Sequence, residues 1–268
     1  LIFRLVWAKK PRRALVTAPT FAEYATALES VGCTVERFFL REQEDFAVTD
    51  AFCAAIRPGV DMVFLCQPNN PTGQLTALPL VEQILHRCAA CGTLLVVDEC
   101  FLDFLPDHAL HTAKGLLGEG NLVILKAFTK LYGMAGVRLG YALSADTALL
   151  EQMQACGQPW GVSSLAQAAG LAALEETAYV EKVRALIAEQ RPRLTAGLRA
   201  LGLRVLDGRA NYLLFQAPET LGEALRQRGA VLRSCANYPG LGPGWYRTAV
   251  RTGPENEQLL KLLAEVLE

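Results

Sequence analysis

The stretch Leu94-Leu95-Val96-Val97-Asp98 decides the fold of this chain, because four apolar residues in succession run directly into a carboxylate. A short, continuous apolar run is typical of a strand that is buried on both faces, as in a parallel sheet covered by helices. Similar runs alternate with amphipathic segments from residue 13 to residue 143. The pattern predicts an α/β fold whose sheet is mostly parallel and covered by helices.

The predicted strands of this sheet share β-branched and aromatic residues. They are Ala14 to Thr17, Thr34 to Phe39, Met62 to Cys66, Leu94 to Val97, Leu122 to Leu125 and Val137 to Leu143. Helices are predicted between them at Phe21 to Ser30 and at Leu78 to Cys91, the second with Thr76 as its cap.

The residue composition and the pattern of predicted elements change after Ser144. An Ala-, Leu- and Glu-rich region from Ser163 to Leu201, interrupted near Thr177, predicts a connecting helix. Four short strands and two helices then follow: Arg204 to Leu206, Tyr212 to Gln216, Val231 to Cys235, Tyr246 to Val250, and helices from Pro218 and Pro254. We therefore expect a large domain over residues 1–160, and a connecting helix with a smaller C-terminal α+β domain over residues 161–268.

The chain opens in an apolar helical stretch, Leu1 to Trp7, with no initiating Met and no cap. We expect it to be truncated at the N-terminus, so that the first part of the large domain is missing.

Composition narrows the class of protein. The 268 residues are 51% hydrophobic, and 26 Lys and Arg nearly balance 27 Asp and Glu, with the basic residues scattered. Such a chain has no cluster of basic residues of the kind that binds nucleic acid or an anionic membrane. No apolar run reaches the length of a membrane span and no secretory signal is recognisable. We expect a cytoplasmic protein whose partner is a small molecule.

The eight cysteines lie mostly within apolar segments, where a free thiol behaves as a small hydrophobic group. Cys88 and Cys91 have the spacing of half a zinc site or of a redox pair, but no second ligand pair follows. Helix packing is the favoured interpretation, and we predict no metal.

Polar side chains follow three of the predicted strands. Asn70, Asp98 and Lys130 each come just past a strand end, and Arg138 is eight positions after the lysine. The carboxyl ends of parallel strands meet at one edge of a sheet, which is where ligands bind in open α/β sheets. An amine for an aldehyde, an acid for a pyridinium nitrogen and a guanidinium for a phosphate together predict a pyridoxal phosphate site.

In this hypothesis Lys130 binds the cofactor covalently, Asp98 pairs with the ring nitrogen and Asn70 reaches the ring hydroxyl. Arg138 binds the phosphate, and Thr129 adds a hydroxyl donor. Taken singly, each residue has an ordinary alternative, such as a solvated lysine or a loop asparagine. Glu99 competes with Asp98 for the role of ring partner, and the order of residues favours Asp98.

Three stretches now add a resemblance: Pro19 to Tyr24, Asp98 to Phe104, and Asn237 to Arg247. With the site residues, they resemble the fold type I pyridoxal phosphate enzymes of the class I/II aminotransferase superfamily, over nearly the whole chain. The branch that looks most similar contains histidinol-phosphate aminotransferases and threonine-phosphate decarboxylases.

The resemblance implies further roles. Phe21 would stack on the pyridine ring and Arg247 would bind the substrate carboxylate. Arg251 is predicted to end the same strand, and a period of two places both arginines on one face, where they could meet a substrate carrying a carboxylate and a phosphate. The family also implies a homodimer. The alternative for both arginines is a solvated surface strand.

The chain also departs from the pattern of these aminotransferases. Phe101 stands where they usually have a tyrosine, and Ala127 replaces a hydroxyl residue three positions before the lysine. The family's N-terminal arm and its glycine-rich phosphate cup would precede Leu1.

The resemblance favours decarboxylation of L-threonine O-3-phosphate to 1-aminopropan-2-ol phosphate in cobalamin biosynthesis. Two alternatives stay open: a histidinol-phosphate aminotransferase, and a non-catalytic fragment or effector-binding domain that keeps the fold without turnover.

Overall fold

The computed structural model describes residues 1–267 and contains two sheets. The strands are β1 Arg13–Ala18, β2 Thr34–Phe39, β3 Met62–Cys66, β4 Leu94–Asp98, β5 Leu122–Ala127, β6 Gly140–Leu143, β7 Arg204–Val205, β8 Tyr212–Gln216, β9 Arg233–Ser234 and β10 Trp245–Ala249. The α-helices are α1 Ile2–Lys9, α2 Glu23–Glu29, α3 Ala51–Ala55, α4 Leu78–Cys91, α5 Phe128–Leu131, α6 Thr147–Ala155, α7 Ser164–Glu175, α8 Thr177–Ala200, α9 Leu221–Arg226 and α10 Gly253–Leu267.

The first sheet has six strands in the order β2-β1-β3-β4-β5-β6. All neighbouring pairs are parallel except β5 and β6, which are antiparallel. The central strands β3, β4 and β5 therefore end at the same edge. Register brings Cys66 opposite Asp98, and Asp98 opposite Leu125, so the site residues that follow these strands share that edge.

Alternate residues of these strands enter two different cores, which explains why the strands are mostly apolar, with Asp98 in β4 and Lys126 in β5 as exceptions. One core packs β1, β3, β4 and β5 against α1, α2 and α6, and it contains Phe64, Val96 and Leu125. The other packs the opposite face against α3 and α4, and it contains Val97 and Ile124. The predicted mostly parallel sheet with helices on both faces is confirmed.

The second sheet is antiparallel, in the order β7-β8-β10-β9. Its apolar face packs against α9, α10 and the end of α8. A smaller cluster joins it to the loops after β2 through Phe46 and Trp245, whose ring centroids are 5.5 Å apart.

Several predicted boundaries need correction. Thr76 is not a helix cap: α4 begins after Ala77 without a side-chain cap, and the Thr76 backbone is bonded to the side chain of Gln67 instead. The strand predicted from Val137 begins at Gly140, because only residues 140–143 pair with β5. The strand predicted to run to Val250 ends at Ala249.

Among residues 1–267, no helix is both long enough and apolar enough to cross a membrane.

Candidate active site

A cavity of about 560 Å³ lies at the carboxyl edge of the first sheet. Its lining contains six of the eight residues predicted for the site: Phe21, Asn70, Asp98, Thr129, Lys130 and Arg138. These residues come from five separate segments of the chain. The parallel order of β3, β4 and β5 brings them together, as expected for an open α/β sheet.

Asp98 ends β4 with its carboxylate buried, and two donors hold it. The Tyr24 hydroxyl donates to Oδ2 across 2.7 Å, and the Cys100 backbone N–H donates to Oδ1 across 3.0 Å. Within residues 1–267, no lysine, arginine or histidine forms an ion pair with Asp98. A buried carboxylate that faces a cavity without a cation is arranged to receive one from a ligand.

The charge of Asp98 affects its neighbours. Burial and the carboxylate raise the pKa of the Tyr24 hydroxyl well above its ordinary value, so this group remains a donor. The same two causes raise the pKa of the Cys66 thiol to about 12 and that of the Cys100 thiol well above its ordinary value. Both thiols are therefore neutral and unreactive near neutral pH.

Lys130 lies in α5, a single turn that follows β5 directly. Its Nζ is 5.2 Å from the centroid of the Phe101 ring, on the exposed side that faces the cavity. Thr129 precedes it in the same turn. The aromatic face stabilises the cation without giving the amine a hydrogen-bond acceptor.

Asn70 connects the cavity to the second sheet. Its Oδ1 accepts hydrogen bonds from a guanidinium nitrogen of Arg247 and from the Tyr238 hydroxyl at 3.3 Å. With the oxygen occupied, the amide nitrogen remains as the group that can donate to a ligand. Arg247 contacts the cavity through Asn70, and its guanidinium lies 4.9 Å from the centroid of the Tyr212 ring.

Arg138 and Phe21 complete the walls. Arg138 has a left-handed backbone, with φ of 61°, and its Nη1 donates to the Ala135 carbonyl at 3.0 Å. This bond fixes the guanidinium at the rim while its other N–H groups stay available. The Phe21 ring packs edge-on against Tyr24, with centroids 5.5 Å apart.

Arg251 does not share the strand face of Arg247. It lies beyond the end of β10, its backbone N–H is bonded to the Asn256 side chain, and its exposed guanidinium pairs with Glu255 at 2.9 Å. The prediction that Arg251 ends the strand of Arg247 is therefore wrong, because this strand stops at Ala249 and the alternation of strand side chains does not extend to residue 251.

Arg233 is the second guanidinium beside Arg247, and it is not among the residues predicted for the site from the sequence. In the antiparallel pair of β9 and β10, Arg233 is directly opposite Arg247, so both side chains leave the same face. Arg233 lies 5.6 Å from the centroid of the Tyr238 ring and donates to Asn237. No local signal in the sequence identified this pair, because it depends on the register of two short strands that lie apart along the chain.

Comparison with known proteins agrees with this geometry. Residues 1–266 match the family profile of aminotransferase class I and II. The chain belongs to this family, whose members are pyridoxal phosphate enzymes.

Particular relatives are also similar. The chain is 40% identical to a threonine-phosphate decarboxylase of Salmonella typhimurium, over 99% of this chain and 74% of that protein. It is 35% identical to a histidinol-phosphate aminotransferase of Symbiobacterium thermophilum, over 99% and 73%. The crystal structure of the histidinol-phosphate aminotransferase from Clostridium acetobutylicum superposes with a TM-score of 0.93 at 26% identity, covering 99% of this chain and 80% of that one.

The residues present fit pyridoxal phosphate. The cofactor carries a basic ring nitrogen, a ring hydroxyl, an aldehyde and a phosphate. The cavity offers a buried carboxylate at Asp98 that lacks a cation, an amide donor at Asn70, an amine at Lys130 and a guanidinium at Arg138. Each chemical group of the cofactor thus has a complementary group in one cavity.

Proposed function

We propose that this protein catalyses the pyridoxal phosphate-dependent decarboxylation of L-threonine O-3-phosphate to (R)-1-aminopropan-2-ol phosphate, a step of cobalamin biosynthesis. The observation that carries the proposal is the 40% identity to a threonine-phosphate decarboxylase over almost the whole chain. The pair of guanidinium groups on one strand face supports it, because the substrate has two anionic groups to bind.

We assign the cofactor contacts as follows. Asp98, held by Tyr24, keeps a proton on the ring nitrogen, and Asn70 donates to the oxygen of the ring hydroxyl. Thr129 and Arg138 bind the phosphate, and Phe21 packs on the ring. When bound, the cofactor supplies an electron-withdrawing ring that stabilises the electron pair left on Cα after a bond breaks.

The substrate is bound through its two anions in this proposal. Arg247, held by Asn70 and by the face of Tyr212, takes the carboxylate. Arg233, its cross-strand neighbour, takes the phosphate. Each guanidinium can make two parallel hydrogen bonds to its anion, which fixes direction as well as position.

Orientation then selects the bond that breaks. Arg247 and Arg233 would fix the direction of the bond from Cα to the carboxylate, and the bound cofactor would supply the electron-withdrawing ring that allows this bond to break with release of carbon dioxide. Lys130 would deliver the proton that replaces the carboxylate on Cα. The decarboxylation therefore needs no second substrate, since a proton replaces the carbon dioxide that leaves Cα.

The experiment measures carbon dioxide release from threonine phosphate by the purified protein with pyridoxal phosphate and no 2-oxo acid. Release of carbon dioxide together with 1-aminopropan-2-ol phosphate supports the proposal. Strict dependence of product formation on 2-oxoglutarate overturns it.

The second candidate is a histidinol-phosphate aminotransferase, favoured by the 35% identical relative and by the similar crystal structure. This reaction also uses a phosphorylated amine, but it would break the bond from Cα to hydrogen in place of the bond to a carboxylate. Transfer of an amino group from histidinol phosphate to 2-oxoglutarate, without carbon dioxide release, identifies it. A third candidate, a non-catalytic fragment or effector-binding domain, requires that both assays fail while pyridoxal phosphate still binds.

We further propose that the protein acts as a cytoplasmic homodimer. Family resemblance supports the dimer, and eight free cysteines fit a reducing compartment. Sedimentation of the cofactor-loaded protein tests the dimer.

A further inference from the structure

A cluster of three charges, of which Lys126 and Glu99 are buried, lies beside the cavity and takes no part in the proposed chemistry. Lys126, on β5, is 2% exposed, and its Nζ donates to Glu99 Oε2 at 3.2 Å and to Asp103 Oδ1 at 2.7 Å. The Glu99 side chain is 0% exposed. Burying these ions costs free energy that packed apolar side chains of the same size would not cost, so stability alone is a poor reason for them.

The cluster occupies the sheet face opposite Asp98. Asp98 is in register with Leu125, whose side chain belongs to the core on the α2 side. Ile124 belongs to the core on the α4 side, and alternation puts Lys126 on that same face. Glu99 follows Asp98 and turns away from the cavity for the same reason.

Two of the three charges lie close in sequence to residues of the site. Glu99 follows Asp98 directly, and Lys126 precedes Lys130 by four residues on β5 and α5. The ion pair of Glu99 and Lys126 therefore joins the strand end that carries the acid to the strand end that carries the amine. Lys126 is also among the residues that line the cavity, so the geometry of the pair bears directly on the site.

Further contacts fix the loop that supports the Lys130 amine. Glu99 also accepts hydrogen bonds from the Thr112 hydroxyl at 2.8 Å and from the Ala113 N–H at 2.7 Å. The Asp103 carbonyl accepts from Arg184 Nε on α8 at 3.0 Å. The segment between Glu99 and Asp103 is thus held at both ends.

Phe101, whose ring lies under Lys130 Nζ, is at the middle of this segment. Burial opposes the charge of Lys126, but the two carboxylates outweigh it and raise its pKa, so the cation persists near neutral pH.

We propose that Glu99 and Lys126 are positioning residues: their ion pair sets the separation of Asp98 and Lys130 and holds Phe101 under the Lys130 amine. The proposal requires that the cofactor is pyridoxal phosphate, and it is independent of which substrate bond breaks.

The test compares a double variant, Lys126→Met with Glu99→Gln, against the wild type. One positive and one negative charge are removed together, so the net charge near the cavity is unchanged and any effect on the cofactor arises from geometry. The readouts are the dissociation constant of pyridoxal phosphate and the pH midpoint of the visible absorbance of the lysine-bound cofactor. Neither readout uses a substrate, so a failed decarboxylase assay leaves the result valid.

We expect cofactor affinity to fall by about tenfold or more and the pH midpoint to move, while the apoprotein stays folded by circular dichroism. The single variant Lys126→Arg, which keeps the cation beside Glu99, should retain most of the wild-type affinity for pyridoxal phosphate. Glu223→Gln is the control, because it breaks an exposed ion pair with Arg226 far from the cavity. A folded double variant with wild-type affinity and midpoint overturns the proposal.

If the double variant does not fold, Glu99→Gln alone decides. The amide keeps an acceptor for the Thr112 hydroxyl and the Ala113 N–H, and Lys126 keeps Asp103 as its partner. A loss of cofactor affinity in this folded variant supports the proposal, and unchanged affinity overturns it.

Discussion

Tyr24 donates its hydroxyl proton to Asp98 across 2.7 Å, although 74 residues separate the two along the chain. The tyrosine ring stacks on Phe64, with centroids 4.7 Å apart, so packing fixes the direction of the hydroxyl. The acid at the centre of the site is therefore oriented by a helix residue on the same face of the sheet.

Tyr24→Phe removes one of the two donors to Asp98 and keeps the stacked ring. We expect pyridoxal phosphate to bind about tenfold more weakly, because a hydrogen bond to a charged group contributes about 1.5–3 kcal/mol. Equilibrium dialysis of the cofactor measures this. Tyr246→Phe is the matched control. Tyr246 is a buried residue of the second sheet, and the variant removes a hydroxyl that donates to the Glu219 carbonyl. Equal loss in both variants would contradict a specific role for Tyr24.

Lys130→Ala should abolish the visible absorbance of the lysine-bound cofactor and reduce turnover by at least about a thousandfold. Lys130→Arg keeps a cation over the Phe101 ring but has no free amine, so it should lack the absorbance as well. Spectra of both variants with added pyridoxal phosphate test this. A variant that retains the wild-type band would show that another amine binds the aldehyde.

Arg233→Ala and Arg251→Ala separate two candidates for the substrate phosphate. We expect Arg233→Ala to raise KM for threonine phosphate by about tenfold to a hundredfold, as for a lost charge-assisted bond. Arg251→Ala should leave KM unchanged, because its guanidinium pairs with Glu255 outside the strand face. Steady-state kinetics on both variants decide, and the reverse result would reinstate Arg251 as the ligand.

The lowered pKa of Asp107 predicts that the free energy of unfolding decreases at acid pH. Burial acts to raise its pKa, but hydrogen bonds from Arg209 and His111 outweigh burial and lower it from 3.8 to about 2. A lowered folded pKa stabilises the protein above pH 3.8, and this contribution disappears as the pH falls toward 2.

Asp107→Asn should therefore lower the free energy of unfolding at neutral pH by less than about 1 kcal/mol, since the pair is partly exposed. The difference from the wild type should vanish at the lowest pH. Urea titrations across this range measure it. Asp50→Asn, at an exposed acid without an ion pair in the described part of the chain, is the control. A difference that persists at pH 2 would contradict the linkage.

Local patterns in the sequence located most of the first sheet. The strand Met62–Cys66 has its predicted bounds, because a continuous apolar run is a property of the segment itself. The strand Thr34–Phe39 also has its predicted bounds, although Glu36 and Arg37 interrupt its apolar and aromatic residues. The strand near Val137 was misjudged, since its length depends on how far β6 can pair with β5. The division of the chain at residue 160 stays a prediction.

Residue types at strand ends were sufficient to place Asn70, Asp98 and Lys130 in one cavity. The sequence could not show that Glu99 bonds to Lys126 rather than competing for the cofactor, since that choice depends on which face each side chain leaves. It also could not find Tyr24 as the partner of Asp98.

The order of residues by itself determined a parallel sheet and the chemical groups at its carboxyl edge, because strand formation and the period of apolar residues are local. Tertiary structure alone decided the partners of those groups. Arg233 meets Arg247 through the register of two antiparallel strands, and Tyr24 meets Asp98 through helix packing. Contacts between distant segments depend on strand order and on the face each side chain leaves, and no single stretch of sequence contains that information.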